Sequence, residues 1–343
     1  MFPQSLPAAP ADTSRIHLTL DTSEADEVLT ILALRQDGKP VEDAEWQKLF
    51  STEPYRRLKE RQAGIAQFFH DSTLVLNDSE FRRFVLSDDL MKRASELRET
   101  LEGWKKADLY ASAKKVIEYL PDSSAIRAKI YPVIKSQRNS FVWQPSTNPA
   151  IFLYLNPDVT REKFANIVAH ELHHIGLAST NAKYEEKISS LPEKAHTVAD
   201  WMGAFGEGMA MLAAAGSPDI HPHAVSTEDD RARWDRDMTN FNGNLESVDS
   251  FFVAILDGSL SNKDSIEEKG SSFFGIQGPW YTVGYKMCVM VEKRFGRAAL
   301  IQTMLDPRQL LVLYNRAAKE REMEGKERLP LWSEKILKEI GGE

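Results

Sequence analysis

Three histidines and a glutamate lie within five consecutive residues near the middle of the chain, in the order His170-Glu171-Leu-His-His174. If this stretch is helical, the four-residue separation corresponds to about 400° of rotation, which places His170 and His174 on one face, a turn apart. Two imidazoles placed in this way can share a metal ion. Glu171 lies beside that face, where a carboxylate can act as a general base towards water. The pattern therefore predicts a metal site with hydrolytic chemistry.

The residues around this motif predict the helix that would carry it. Thr160 is an N-cap candidate, and Glu162 would lie in the first turn. The spacing of the apolar residues predicts a buried stripe along the helix: Phe164, Ile167, Val168, Leu172 and Ile175. His173 points away from the metal face. It is expected either to be exposed to solvent or to support one of the metal-ligating residues from outside the metal site.

A catalytic zinc commonly has three protein ligands and one open position, so a third ligand is expected elsewhere. Glu207 is our choice, because glycines on both sides leave room for backbone and metal to approach closely. Asp200 and His196 precede it on what reads as one continuous helix from Glu193 to Ala215. They are alternatives, either as ligands or as residues that orient a ligating histidine.

The rest of the chain predicts a small sheet among many helices. Three short β-rich runs, 130–134, 140–143 and 150–155, come immediately before the motif. We expect either a structural hairpin there or a strand that pairs with an extended peptide. Residues 78–104 read as one long amphipathic helix, and 257–278 as a loop.

Composition excludes several classes of protein. A net charge of −8 leaves no basic surplus for phosphates, so no nucleic-acid partner is expected. No apolar run approaches the length of a membrane span. Cys288 is the single cysteine and reads as a buried helix position, which excludes an intramolecular disulfide and a cysteine-based zinc site.

The beginning of the chain leaves the localisation open. Residues 1–15 predict a flexible lead. They lack the basic-then-apolar order of a signal peptide, although they resemble the Ala/Pro segment that often follows one. The sequence thus indicates a cytoplasmic protein, or a secreted or periplasmic one whose signal has been removed.

Two motifs together carry a family resemblance. His170-Glu171-Leu-His-His174 followed by Glu207-Gly-Met-Ala210 resembles the gluzincin zinc metallopeptidases, whose aminopeptidase branch has His-Glu-x-x-His and then Asn-Glu-Gly-x-Ala. The separation from His174 to Glu207, 33 residues, is longer than in those aminopeptidases and indicates an inserted loop at 179–192. No counterpart of their Gly-x-Met-Glu-Asn segment is found, so aminopeptidase activity is not implied.

A third motif extends the resemblance. Tyr281-Thr-Val-Gly284-Tyr285 looks like the Tyr-x-x-Gly helix of the same branch. The resemblance implies that Tyr281 stabilises the oxyanion of the reaction, and Tyr285 is the second candidate for this role. Taken whole, the chain is similar to bacterial families of zinc-dependent peptidases that share Ala-His-Glu-x-x-His, Glu-Gly-x-Ala and a late Tyr-x-x-Gly-Tyr.

We therefore expect a predominantly helical α+β protein with a gluzincin-like catalytic core and a small β-sheet beside the metal-binding helix. A helical scaffold at 16–125 would precede a continuous catalytic region at 126–343. The expected function is hydrolysis of peptide bonds in a peptide or protein substrate, with one Zn²⁺, although manganese or iron suits the same ligands. The alternatives are a zinc hydrolase of a non-peptide amide or ester, and a catalytically inactive metal-binding scaffold.

Overall fold

The computed structural model describes residues 13–341, apart from the side chains of three residues, at positions 13, 181 and 183. Helices dominate, and a four-stranded sheet is found among the described residues. This confirms a predominantly helical α+β protein. Of the predicted N-terminal lead, residues 1–12 lie outside the described part of the chain. Thr13–Arg15 forms a 3₁₀ turn, and the Arg15 guanidinium donates to the carbonyl oxygen of Asp122 at 2.8 Å.

The elements follow one another along the chain in this order. The strands are β1 (Ile16–Leu20), β2 (Ile126–Val133), β3 (Phe141–Trp143) and β4 (Ala150–Tyr154). The helices are α1 (Ser23–Gln36), α2 (Asp43–Ser51), α3 (Glu53–Phe68), α4 (Asp78–Val85), α5 (Asp88–Trp104), α6 (Leu109–Ile117), α7 (Arg161–Ala178), α8 (Asn181–Ile188), α9 (Glu193–Met202), α10 (Gly206–Ala215), α11 (Glu228–Thr239), α12 (Phe241–Asp257), α13 (Lys263–Ser272), α14 (Pro279–Phe295), α15 (Arg297–Met304), α16 (Arg308–Met323) and α17 (Glu334–Glu339).

The chain divides into two compact units. The sheet unit comprises residues 16–110 and 127–171, and the described part of the helical unit comprises residues 13–15, 111–126 and 172–341. The boundary crosses α7 between Glu171 and Leu172, and α7 continues through it without interruption.

The sheet unit is built on strands in the order β1-β2-β4-β3. β2 runs parallel to β4, with Ile130 opposite Ile151, and β3 runs antiparallel to β4, with Phe141 opposite Phe152. The interior position of β4 explains its unbroken apolar sequence, since both of its faces are covered. The three predicted β-rich runs are confirmed as strands, whereas β1 was not predicted.

One predicted long helix of the sheet unit is two helices. The prediction of a continuous helix at 78–104 was wrong, because Leu86 and Ser87 separate α4 from α5. Ser87 is extended, with φ −68° and ψ 145°, and its hydroxyl accepts a hydrogen bond from the Leu90 N–H at 3.4 Å. A serine in this conformation caps the helix that follows it.

The helical unit packs around α14. Trp280, Val283, Met287 and Val291 of this helix are fully buried. Trp280 belongs to an aromatic cluster in which its ring centroid lies 5.2 Å from Phe205. Cys288 is also fully buried, as predicted, and burial raises the pKa of its thiol. The predicted loop at 257–278 contains a further helix, α13, which is capped by Asn262.

The predicted helix from Glu193 to Ala215 is also interrupted. Gly203–Phe205 forms a 3₁₀ turn between α9 and α10. Asp200 and Glu207 therefore lie on two separate helices, α9 and α10. Among the described residues, no helix has the length and apolar character to cross a membrane.

Candidate metal centre

Helix α7 is anchored as its sequence predicts. The Thr160 hydroxyl accepts a hydrogen bond from the Lys163 N–H at 3.2 Å, which confirms the N-cap. Phe164 is fully buried and stacks on Trp104, with ring centroids 4.2 Å apart. The stripe continues through the buried side chains of Val168, Leu172 and Ile175. This packing fixes the rotation of α7, and with it the face that carries the histidines.

His170, Glu171 and His174 are half-buried on α7. They are thus within reach of solvent and of a ligand, while the helix backbone that holds them is packed. The side chain of His174 is 25% exposed and that of Glu207 is 19% exposed. His173 does not match the prediction of a solvated residue, because it is fully buried.

The structure brings the predicted third ligand to His174. His174 Nε2 lies 3.2 Å from Glu207 Oε2. His170 precedes His174 by one turn on the same helix, α7. With metal–ligand distances of about 2.0–2.2 Å and tetrahedral angles, two ligand atoms of one zinc lie about 3.4 Å apart. The separation of His174 and Glu207 therefore fits a shared zinc ion, and two imidazoles with a carboxylate suit zinc chemically.

Glu207 owes its position to the packing of its two neighbouring glycines. A Cβ atom on Gly208 would lie 2.0 Å from the backbone nitrogen of Tyr285 and 2.3 Å from the carbonyl carbon of Gly284. A Cβ atom on Gly206 would approach Leu177 of α7 at 3.8 Å. The glycines were predicted to leave room for backbone and metal to approach closely. The close approach of backbone is confirmed at Gly208, where α10 touches α14, and this contact sets where the first turn of α10, with Glu207, begins.

The two alternative ligands of α9 lie in a group of their own. His196 Nδ1 lies 3.0 Å from Asp200 Oδ2, and both can come together with Glu185 of α8 around one ion. Glu185 and Asp200 are exposed. The structure thus pairs Asp200 with His196, and the metal-binding groups found among the described residues do not join either of them to His174 and Glu207.

Tyr281 and Tyr285 occupy successive turns of α14. Tyr281 is half-buried, in the first turn of the helix, one turn before the contact between Gly284 and Gly208. Tyr285 is 8% exposed, and burial raises the pKa of its hydroxyl to about 12. Its ring meets Trp234 edge-on at 5.3 Å. Tyr285 is therefore held in a packed aromatic environment, whereas Tyr281 retains access to solvent.

A cavity of about 250 Å³ lies against His174 in the helical unit. Gly206 also lines it, so the cavity borders the candidate ligand His174 and the residue that precedes the candidate ligand Glu207. Sequence reasoning did not identify this cavity, since its walls come from segments that are up to about 130 residues apart in the sequence, from α7 to Pro307. No short-range pattern signals such a convergence.

Comparison with known proteins adds one match. A family model described as "Putative zinc dependent peptidase (DUF5700)" covers residues 46–322, which is most of the 343-residue chain. The chain belongs to this family. The part that matches the DUF5700 model contains all three candidate ligands, Glu171 and both tyrosines. No curated protein and no solved structure matches the chain.

Proposed function

We propose that this chain is a zinc-dependent metallopeptidase of the gluzincin type, with His170, His174 and Glu207 as the ligands of one Zn²⁺. The observation that carries the proposal is the distance of 3.2 Å between His174 Nε2 and Glu207 Oε2, two residues that are 33 positions apart in the sequence. Membership of a family described as zinc-dependent peptidases supports the same metal and the same class of reaction.

The proposed mechanism assigns the proton transfers to Glu171. Zinc in such a site supplies Lewis acidity, which lowers the pKa of water towards neutrality and polarises a carbonyl group. Glu171 directly follows His170 on α7 and is half-buried, so its carboxylate can reach both solvent and a bound substrate. It accepts a proton from the attacking water and delivers it to the amide nitrogen as the carbon–nitrogen bond breaks.

Tyr281 is the proposed oxyanion donor. Its hydroxyl donates a hydrogen bond as negative charge develops on the carbonyl oxygen of the scissile bond. Support comes from its place on α14, because the close contact of Gly208 with Gly284 and Tyr285 brings the first turn of α10 against the second turn of α14, one turn after Tyr281. Tyr281 and Glu207 then both lie near the amino ends of two helices that touch.

The test is digestion of a proteome-derived peptide library, with and without a zinc chelator. We expect cleavage that the chelator abolishes and that added zinc restores. Cleavage that is insensitive to the chelator would exclude the metal mechanism. A protein that binds zinc and hydrolyses esters or non-peptide amides, but leaves every peptide intact, would replace the peptidase by the broader class of zinc hydrolases.

A further inference from the structure

We propose that the cavity beside His174 binds one uncharged apolar side chain of the substrate, of the size of leucine, methionine or phenylalanine. This inference rests on the proposed peptidase function, and it names the substrate class of the same site. The cavity touches His174 and the residue before Glu207, so a side chain in it would belong to a residue close to the scissile bond.

The walls of the cavity select the chemistry of that side chain. They are predominantly apolar, from Leu177, Met202, Phe205, Met209, Met304 and Pro307. Removing an apolar side chain of this size from water favours its binding in such a pocket. The thioethers of the methionines are flexible and polarisable, so the pocket accepts several apolar shapes rather than a single one.

The size of the cavity limits the occupant to a single residue. Pockets for drug-sized ligands typically have volumes of about 300–1,000 Å³. A volume of about 250 Å³ lies below that range, which suits one side chain rather than a whole small molecule.

The floor of the cavity is formed in advance. Met202 and Phe205 are fully buried, and Met209 is 3% exposed. Phe205 meets Trp332 edge-on, with ring centroids 5.6 Å apart. Because these side chains are already packed from behind, binding does not have to order them, and less conformational entropy is lost.

The rim of the cavity disfavours acidic side chains. Glu185 is exposed there and is the one carboxylate among the described residues that line the cavity. Next to it, the Tyr184 hydroxyl donates a hydrogen bond to the carbonyl oxygen of Ala199 at 2.7 Å, which fixes the ring against α9. An aspartate or glutamate of the substrate would face Glu185 and would lose its solvation in the apolar interior.

Gly203 allows the pocket to be filled without disturbing the fold. It lines the cavity, its φ is −55°, and a Cβ atom built on it meets nothing within 4 Å. A leucine at this position can therefore extend over the cavity. Gly243 of α12 is a matched control, because it is exposed, a Cβ atom there also meets nothing within 4 Å, and it does not line the cavity.

The experiment compares Gly203→Leu with Gly243→Leu in two assays. In the first, the zinc-loaded enzyme cleaves a peptide library randomised around the scissile bond. We expect the wild type and Gly243→Leu to prefer leucine, methionine or phenylalanine at one subsite. We expect Gly203→Leu to lose about tenfold in kcat/KM for these peptides, and to retain activity on peptides with alanine or glycine there.

The second assay measures binding without turnover. The same peptides bind to zinc-loaded Glu171→Gln protein, alone and combined with each glycine substitution. We expect Gly203→Leu, and not Gly243→Leu, to weaken binding of the apolar peptides. If no peptide is cleaved but this selective binding is observed, the peptidase proposal fails, whereas the assignment of the cavity as a pocket for an apolar side chain is retained. Unchanged selectivity in Gly203→Leu, or a preference for basic or acidic side chains, would overturn the pocket assignment even if peptides are cleaved.

Discussion

Gly208 and Gly284 bring the backbones of α10 and α14 into direct contact. A Cβ atom on Gly284 would lie 2.8 Å from the carbonyl oxygen of Phe205, and a Cβ atom on Gly208 would overlap the backbone at Gly284 and Tyr285. Neither position has room for a methyl group unless the helices separate. The distance between the helices is therefore set by the absence of two side chains, directly beside the proposed ligand Glu207.

A methyl group at position 208 tests this contact. We expect Gly208→Ala to lower the free energy of unfolding by about 1–3 kcal/mol, the usual cost of overpacking, and to weaken zinc binding because Glu207 moves with α10. Gly243→Ala is the control, since its methyl group has open space and alanine favours the helix. Denaturant titration and zinc calorimetry measure the two effects. Equal free energies of unfolding in both variants would show that α14 moves to accommodate the methyl group without a loss of stability.

Removal of the third ligand should release the metal. We expect Glu207→Ala to weaken zinc binding by more than about 100-fold, since even residues that only orient a ligand are worth 10–100-fold. His196→Ala is the comparison, because His196 pairs with Asp200 at 3.0 Å and should leave the zinc content unchanged. Metal analysis after dialysis measures the zinc content of the two variants. Full zinc occupancy in Glu207→Ala would disprove the ligand assignment.

The proposed general base can be separated from metal binding. Glu171→Gln keeps the shape of the side chain and removes its capacity to accept a proton at neutral pH. We expect its zinc content to equal that of the wild type and its kcat to fall by about 10²–10⁴-fold. Steady-state kinetics on a cleaved library peptide give the rate. Undiminished kcat in this variant would assign the proton transfer to another group.

The two tyrosines of α14 should differ in their effect on the rate. We expect Tyr281→Phe to lower kcat by about 10²–10³-fold with little change in zinc affinity, as for the loss of one oxyanion donor. Tyr285→Phe should have the smaller effect, because Tyr285 is packed against Trp234 and its hydroxyl lies 3.5 Å from the carbonyl oxygen of Ile220. The opposite order of effects would move the role to Tyr285.

Stability should depend on pH through a buried carboxyl group of the sheet unit. Burial raises the pKa of Glu24 from 4.5 to about 8. Two smaller effects lower this pKa: the hydrogen bond that Glu24 accepts from the Ile134 N–H at 2.9 Å, and the positive charge of Lys135. The folded chain therefore holds a proton between about pH 4.5 and 8 that the unfolded chain releases. The free energy of unfolding should fall by a few kcal/mol as the pH rises through this window.

Glu24→Gln isolates this effect. Glutamine retains an acceptor for the Ile134 N–H and stays neutral throughout, so we expect a flatter pH dependence and greater stability than the wild type at pH 8. Denaturation at pH 5, 6.5 and 8 provides the comparison. Burial lowers the pKa of Lys135 to about 8. Its contribution to the pH dependence of stability therefore lies mainly above pH 8. Identical slopes in wild type and variant would show that Glu24 is ionised in the folded protein.

Local patterns in the sequence were sufficient to predict the helix that carries His170 and His174. Its cap and its apolar stripe lie within eighteen residues, and such short-range spacing is what a sequence displays directly. The three strands before α7 were predicted for the same reason. Strand β1 was missed although its sequence, Ile-His-Leu-Thr-Leu, alternates apolar and polar residues as a strand does, because five residues carry too short a pattern to stand out beside the helix that follows.

The features that the sequence did not predict depend on contacts between residues that are far apart in the sequence. The apolar periodicity of residues 193–215 passes through the 3₁₀ turn at Gly203–Phe205, so the pattern gave no sign that Asp200 and Glu207 lie on separate helices. The partner of Gly208 lies 76 residues away on α14, and nothing near Gly208 indicates it. The burial of His173 likewise follows from packing around α7 rather than from its own helix wheel.

The single cysteine offers a practical consequence. Cys288 is fully buried in α14, and burial raises the pKa of its thiol, so maleimide reagents should find no accessible thiolate in the native protein. A cysteine introduced at Gly203 would then be the sole site of labelling. An environment-sensitive fluorophore attached there would report directly on what enters the cavity beside His174, with the rest of the chain left as it is.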